Sequence, residues 1–220
     1  MNAILCLSGG KDSVYAGYLA MQLGLEVKRS LIFIPEQTDS YMFHTPNILL
    51  APLISECMGL RPLVFSVAGD ETSAIERALE KVEEEYVITG AIASEYQKER
   101  FERTAYRTGK KCISPLWGKS EIQALKEIVA SGMHVIFVGR FAEGLGEEWL
   151  GKRLDEEGIE KLGELARKSG INPSGEGGEY ETLVLDAPFF QRRLKVVTAV
   201  KHSGPMSGIL EIEAVLEDKN

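Results

Sequence analysis

Five apolar residues, Ala3-Ile4-Leu5-Cys6-Leu7, run straight into Ser8-Gly9-Gly10-Lys11-Asp12-Ser13, and an amphipathic stretch to Gly24 follows. A short apolar run bounded by glycine reads as a buried strand. Strand, glycine turn and helix in that order is how proteins cradle phosphate. Gly9 and Gly10 permit backbone conformations and close approaches that a side chain blocks. The N–H groups of such a turn make an anion-binding nest, and the following helix adds its positive end. Lys11 can neutralise phosphate charge, and the hydroxyls of Ser8 and Ser13 can donate hydrogen bonds. The common ATPase loop, G-x-x-x-x-G-K-[ST], places a magnesium-binding hydroxyl directly after its lysine, and here Asp12 stands in that place. Asp12 can orient the loop or reach a phosphate-bound magnesium, through water if need be. A tight turn capped by Asp12 or Ser13 is the alternative, and the six loop residues at the end of a first strand favour the phosphate loop.

The rest of the chain repeats the theme. Short apolar runs at Ala3–Leu7, Lys28–Ile34, Leu63–Val67, Tyr86–Thr89 and Lys111–Ser114 alternate with helical patterns. Helices are expected over Thr45–Met58, opened by Thr45-Pro46, and over Ser94–Thr108. Between them Ile75, Ala78, Leu79 and Val82 share one face, with glutamates on the solvated side. Such alternation argues for a parallel sheet covered by helices on both faces, with ligands beyond the carboxyl ends of the strands. Ser114-Pro115-Leu116-Trp117-Gly118 breaks the pattern, so a boundary is expected near Trp117, giving units 1–116 and 117–220. The second unit reads as mixed α/β. Its expected helices are Glu121–Ala130 and Asp155–Ser169, and its expected strands His134–Val138, Thr182–Leu185, Leu194–Val200 and Ile209–Val215.

Composition narrows the class. The 220 residues are 44% hydrophobic and 26% charged, as in an ordinary globular protein with a core of its own. A net charge of −8 weighs against a sequence-independent grip on nucleic acid. Cys6, Cys57 and Cys112 lie far apart, with no disulfide framework or zinc spacing, and Cys6 and Cys112 are expected in the core. With no apolar run of membrane-spanning length and no basic leader after Met1, the expected location is the cytoplasm, with no membrane partner.

Three further stretches carry polar groups toward the expected ligand edge. Glu36–Asn47, a loop after the second strand, holds Tyr41, Phe43 and His44, and His44 is weighed as a phosphate or substrate contact against a structural hydrogen bond. In Thr89–Glu102, Gly90 closes the fourth strand and Ser94-Glu95-Tyr96-Gln97 opens a helix. Arg100 and Arg103 follow, facing a nucleotide or pairing with Glu99 and Glu102. In Asn172–Pro188, the turn Glu176-Gly177-Gly178-Glu179-Tyr180-Glu181 crowds three carboxylates before a strand. Like charges so close are unfavourable unless a cation sits among them or solvent screens them, and the glycines favour a site.

S-G-G-K-D-S resembles the pyrophosphatase loop (PP-loop) of the N-type ATP pyrophosphatases. That resemblance implies the adenine-nucleotide α-hydrolase-like (HUP) fold, an α/β parallel sheet of order 3-2-1-4-5, here with a smaller mixed α/β carboxyl-terminal domain. It also implies cleavage between the α and β phosphates of ATP. Within that superfamily, D-S-Y-M-F-H-T-P-N, G-A-I-x-S-x-Y-Q, S-P-L-W and G-E-G-G-E-Y-E-T make the chain similar to the diphthine–ammonia ligases, over most of its length from Leu7 to Pro188. The expected chemistry is adenylation of a carboxylate, then displacement of AMP by ammonia. The substrate that the resemblance implies is a modified histidine of translation elongation factor 2, bearing a carboxylate and a trimethylammonium group. Ser8, Gly9, Gly10, Lys11, Asp12 and Ser13 carry over as the ATP loop, joined by His44 and Gly90, with Asp12 toward Mg2+. Glu176, Gly177, Gly178, Glu179, Tyr180 and Glu181 carry over as the substrate motif, joined by Tyr96, Gln97 and Arg100. Lys11, Asp12, Glu176, Glu179 and Glu181 are the catalytic candidates. Carboxylates and the face of Tyr180 would suit the quaternary ammonium, or the carboxylates would hold ammonium. No direct nucleic-acid contact is expected, and homo-oligomerisation is left open.

A chain this short lacks room for a fused glutaminase, and Asn2 is not a processed cysteine, so free ammonia is the economical nucleophile. The chain also ends soon after Val215, without the extra domains of the largest relatives. Two alternatives stand beside this reading. One is a related enzyme adenylating another small carboxylic acid. The other is a non-catalytic ATP-binding protein of the same fold, but Gly90-Ala91-Ile92-Ala93-Ser94 lacks the second glycine signature of such sensors.

Overall fold

The computed structural model describes residues 1–36 and 47–219. The first sheet is wholly parallel, in the order β3-β2-β1-β4-β5. Its strands are β1 (Asn2–Cys6), β2 (Glu26–Pro35), β3 (Arg61–Val67), β4 (Tyr86–Ile88) and β5 (Lys111–Ile113). Four helices cross between them: α1 (Lys11–Gln22), α2 (Ala51–Cys57), α3 (Glu71–Glu80) and α4 (Glu95–Arg107). The period-2 geometry of β1 sorts its residues between two layers. Ala3, Leu5 and Leu7 point toward α1 and α2, while Ile4 packs with Ala74, Ile75, Ala78 and Leu79 of α3. Both faces are therefore covered, which is why β1 is an unbroken apolar run.

The second sheet is antiparallel, in the order β7-β6-β9-β8. Its strands are β6 (His134–Arg140), β7 (Tyr180–Asp186), β8 (Arg192–Ser203) and β9 (Gly208–Asp218), with helices α5 (Glu121–Ala130) and α6 (Glu156–Ser169). It has no separate core. One buried cluster runs from Ala3 and Leu5 through Ile54 and Leu125 to Phe137, Leu183 and Ile212. Phe137, fully buried, meets the rings of Trp149 at 4.9 Å and Tyr180 at 5.0 Å.

Local signals set most helix ends. Ser94 caps α4, accepting from the Gln97 N–H at 3.4 Å, and Asp155 caps α6, accepting from the Gly158 N–H at 2.7 Å. Gly170, left-handed at φ 73°, stops α6. The helix expected over Thr45–Met58 is shorter. Its helical turns start at Ala51, after a single 3-10 turn at Ile48–Leu50, with Pro52 in the first turn, and Thr45-Pro46 lies outside the described residues. A helix cannot run through Asn47, which is held left-handed at φ 66°. Its amide donates to the Leu210 carbonyl at 2.9 Å and accepts from the Ile212 N–H at 2.7 Å. That long-range clamp to β9 overrides the local pattern.

Two further expectations are corrected. Cys6 and Cys112 are only partly covered, and Cys57 alone of the three is fully buried. The reason is position: Cys6 ends β1 at the open edge of the sheet. The pairing of β4 stops at Ile88, so Gly90 sits in the following loop. Among the described residues, no helix is long and apolar enough to cross a membrane.

Because Phe137 packs against two aromatic rings where the second sheet meets the shared core, Phe137→Ala should lower the unfolding free energy by about 3–5 kcal/mol. Chemical denaturation should show a single transition, shifted to lower denaturant with an unchanged slope. If the two sheets were independent, two separate transitions would appear instead.

Candidate active site

A cleft of about 300 Å³ opens at the carboxyl edge of the parallel sheet. The Ser8–Ser13 loop forms its floor. Gly9 has φ +86°, and a Cβ there would fall 2.7 Å from Ile54 Cδ1, so both backbone and space call for glycine. The two serines tie the loop to itself. The Ser8 N–H donates to Ser13 Oγ at 3.3 Å, and Ser13 Oγ donates to the Gly10 carbonyl at 3.0 Å. The loop after β4 presses against it: a Cβ at Gly90 would lie 2.7 Å from the Ser13 nitrogen and 2.8 Å from the Asp12 carbonyl carbon.

The other wall comes from the second sheet. The Lys11 N–H donates to Thr182 Oγ1 at 3.1 Å, and the Val184 N–H donates to the Gly9 carbonyl at 3.1 Å. Strand β7 is thus hydrogen-bonded directly to the phosphate loop. The Lys11 side chain is buried, donating to the Ser174 carbonyl at 2.6 Å and to Asp12 Oδ2 at 2.8 Å. It also lies 5.0 Å from the Tyr180 ring centroid. Burial works to neutralise this ammonium, but Asp12, Tyr180 and Glu181 outweigh it and hold its pKa above the usual amine value. Asp12 Oδ1 is buried with no partner.

The three carboxylates of the acidic turn have separate fates. Glu176 accepts from the N–H groups of Ile92, Ala93 and Ser94 at 2.6, 2.6 and 2.5 Å. It sits on the positive end of α4 and ties the turn to the loop after β4. Glu179 Oε1 accepts from the Asn172 N–H at 2.7 Å, while its Oε2 is buried without a partner. Glu181 lines the cleft, and among the described residues neither a hydrogen bond nor an ion pair fixes its carboxylate. Burial raises its pKa to about 7, with Lys11 opposing and Asp12 reinforcing the shift. Burial also acts on the thiols, pushing Cys57 up to about 12 and Cys112 up to about 11. Cys6 in the cleft moves the same way, through burial and then Cys112.

Of the residues expected in the site, Ser8, Gly10, Lys11, Asp12, Ser13, Gly90, Gln97, Glu176, Gly177, Gly178, Tyr180 and Glu181 line the cleft. Gly9 lies behind the floor, against Ile54. Tyr96 is 43% exposed and stacks with the Arg100 guanidinium at 3.5 Å, and neither is among the residues that line the cleft. Glu102 pairs with Lys98 at 3.3 Å. Tyr180 presents no open face: it is 2% exposed, and its hydroxyl donates to the Pro173 carbonyl at 2.7 Å. Tyr41, Phe43 and His44 lie outside the described residues.

Several lining residues escaped the sequence reading. Phe33, Ile48 and Phe101 give the cleft an apolar side, and Thr182 and Ser94 give it hydroxyls. The apolar three drew no functional reading, since nothing local marks which strand and helix ends stand open. Thr182 had a signal: it closes the E-Y-E-T run, two residues along the strand from Tyr180.

Known proteins resemble this chain throughout. Residues 1–112 match the family described as "Diphthamide synthase N-terminal domain", and residues 120–217 the one described as "Diphthamide synthase C-terminal domain". The diphthine–ammonia ligase of Schizosaccharomyces pombe is 35% identical across 100% of this chain, which spans only 40% of that relative's length. The diphthine–ammonia ligase of Danio rerio is 33% identical over 88% of this chain and 86% of its own. That of Homo sapiens is 31% identical over 100% and 94%. The crystal structure of a "predicted subunit of tRNA methyltransferase" from Methanocaldococcus jannaschii superposes with a TM-score of 0.50 at 15% identity. It covers 86% of this chain and 98% of its own, a likeness of fold alone.

Two measurements check the geometry. Gly90→Ala would drive a methyl group into the backbone of the phosphate loop, so ATP binding should weaken at least about tenfold while the chain stays folded. Equilibrium titration with ATP reads this directly. Folded Glu181 keeps its proton to about pH 7, whereas the unfolded chain releases it near 4.5. The folded state therefore binds more protons in that window, and this group makes stability fall as pH rises through it, by up to about 3 kcal/mol. Denaturation midpoints of Glu181→Gln against the parent, followed from about pH 4.5 to about pH 8, should show the variant lacking that decline.

Proposed function

This chain belongs to the diphthamide synthase family, whose curated relatives are named diphthine–ammonia ligases, enzymes that form a C–N bond, and on that premise we propose that it amidates the diphthine side chain of translation elongation factor 2. The nucleophile is ammonia, ATP supplies the driving force, and the products are diphthamide, AMP and pyrophosphate. We place the reaction in the cytoplasm, where that factor works. Residues 1–116 hold the nucleotide, and residues 117–220 carry the substrate motif.

The observation that carries this reading is the joining of two chemistries in one cleft. The loop suited to phosphate and the carboxylate-rich turn suited to a cationic substrate share hydrogen bonds through Lys11, Thr182 and Ser174. In the proposed first step, a carboxylate oxygen of the substrate attacks the α-phosphorus of ATP. The bond from that phosphorus to the bridging oxygen breaks, and pyrophosphate leaves. In the second step, ammonia attacks the acyl carbon and AMP departs with the electron pair of the broken C–O bond.

The chain's own groups have distinct jobs. The loop N–H groups and the Ser8 hydroxyl hold the departing pyrophosphate, and Ser13, donating to the Gly10 carbonyl, braces the loop. Lys11, kept protonated by its surroundings, offsets charge that develops between the phosphates. Phe33, Ile48 and Phe101 offer an apolar wall for the adenine ring. Glu176 positions the acidic turn, and Glu181 is the carboxylate left open to a cation. Among the described residues no three His, Cys, Asp or Glu side chains gather to cage a metal. That suits Mg2+, which takes most of its ligands from phosphate and water. Asp12, with its unpartnered Oδ1, would hold it. When bound, it supplies charge neutralisation at the phosphates.

Product identity tests the proposal. Incubation with ATP, ammonium and diphthine-bearing elongation factor 2 should release AMP and pyrophosphate in step with amide formation. Lys11→Ala should slow turnover by at least about 100-fold. Release of ADP and phosphate, or pyrophosphate release triggered by a free carboxylic acid but not by the protein substrate, would sink it.

A further inference from the structure

A substrate carrying a quaternary ammonium needs a host that asks for no hydrogen bond. Tyr180, the aromatic residue of the acidic turn, is closed to it, with Lys11 against its ring and its hydroxyl bound to Pro173. Glu176 and Glu179 are held by backbone N–H groups. Glu181 remains, and its neighbour is not in the motif. Gly139 of β6 pairs with Glu181 across the ladder. A Cβ at Gly139 would fall 2.7 Å from Phe141 Cε2, 2.9 Å from Phe141 Cζ and 3.1 Å from Glu181 Cβ. The end of the Phe141 ring and the base of the Glu181 side chain therefore lie over the same bare stretch of backbone. The Phe141 N–H donates to the Glu179 carbonyl at 2.8 Å, which pins this aromatic residue to the acidic turn. Its side chain stays 37% exposed, where a core phenylalanine would be covered.

A partly exposed aromatic ring beside the stem of a glutamate whose carboxylate no donor occupies suits one class of ligand. A quaternary ammonium gains from the ring's negative face and from the carboxylate, and leaves no N–H unsatisfied. A primary ammonium or ammonium ion would instead seek several oxygen acceptors, which a phenyl ring does not offer. We propose that Phe141 and Glu181, brought together over Gly139, form the host for the trimethylammonium group of the substrate. This rests on the substrate reading above and adds to it a residue outside the E-G-G-E-Y-E-T run. Gly139 is then needed because any side chain there would push the ring away from Glu181.

Two arms test it. In the first, the full chain is titrated with tetramethylammonium chloride at constant ionic strength, with NMR shifts as the readout. The parent and Phe141→Tyr should bind, while Phe141→Leu and Gly139→Ala should bind about 5- to 30-fold more weakly. Equal affinity in all four, or no binding by the parent, overturns the host. In the second arm, with diphthine-bearing elongation factor 2, Phe141→Leu should raise KM for the protein substrate by a similar factor and leave KM for ATP unchanged. An unchanged KM for the protein substrate also overturns the host. Absence of turnover in the parent would count against the proposed reaction, and the tetramethylammonium arm would still decide the host by itself.

Discussion

Strand β7 of one sheet lies on the phosphate loop of the other, and the rest of the site depends on that contact. Two backbone N–H groups make it: Lys11 donates to the Thr182 hydroxyl and Val184 donates to the Gly9 carbonyl. A glycine loop with a lysine at a helix start can bind phosphate in many proteins. Docked on β7, it gains a second wall and a set of carboxylates. The Lys11 side chain completes the joint by reaching the Ser174 carbonyl. Loss of this joint would take the Ser174 carbonyl from a buried ammonium and leave it Asp12 alone, which is costly in an apolar setting.

The electrostatics follow from the same arrangement. A buried lysine is tolerable because Asp12 lies against it, and Tyr180 offers it a ring face. The acidic turn carries three carboxylates within six residues, yet they do not compete for one cation. Glu176 faces the start of α4, Glu179 faces the Asn172 N–H, and Glu181 is left to the cleft. Backbone N–H groups thus absorb two of the three charges, and burial raises the pKa of the third carboxylate, Glu181, to about 7. The turn is a structural clasp at its first glutamate and faces the cleft at its last.

Much of the fold was legible in the sequence. Runs such as Ala3–Leu7 and His134–Val138 are buried on both sides, so they show as unbroken apolar segments. Ser94 and Asp155 cap helices by bonds to residues three positions on, and such bonds are local. Asn47 shows the limit. Its left-handed backbone is held by β9, more than 160 residues away in the chain, so no local pattern around Thr45–Met58 foretells where that helix begins. Tyr180 shows it for the site. An aromatic residue within a cluster of acids looks like a cation host, and its burial under Pro173 and Lys11 follows only from packing.

By itself, then, the sequence determined the alternation that makes a parallel sheet, the loop that can cradle phosphate and the residues crowded into the acidic turn. These are consequences of local spacing, because periodicity and turn chemistry act over a few residues. The tertiary structure decided which of those groups face the cleft. It stacked Tyr96 on Arg100 away from the cleft lining, bound Glu176 to the backbone, closed off Tyr180, and set Phe141 beside the stem of Glu181 over Gly139. Those outcomes turn on contacts between segments far apart in the chain, and only the folded packing of the two sheets establishes them.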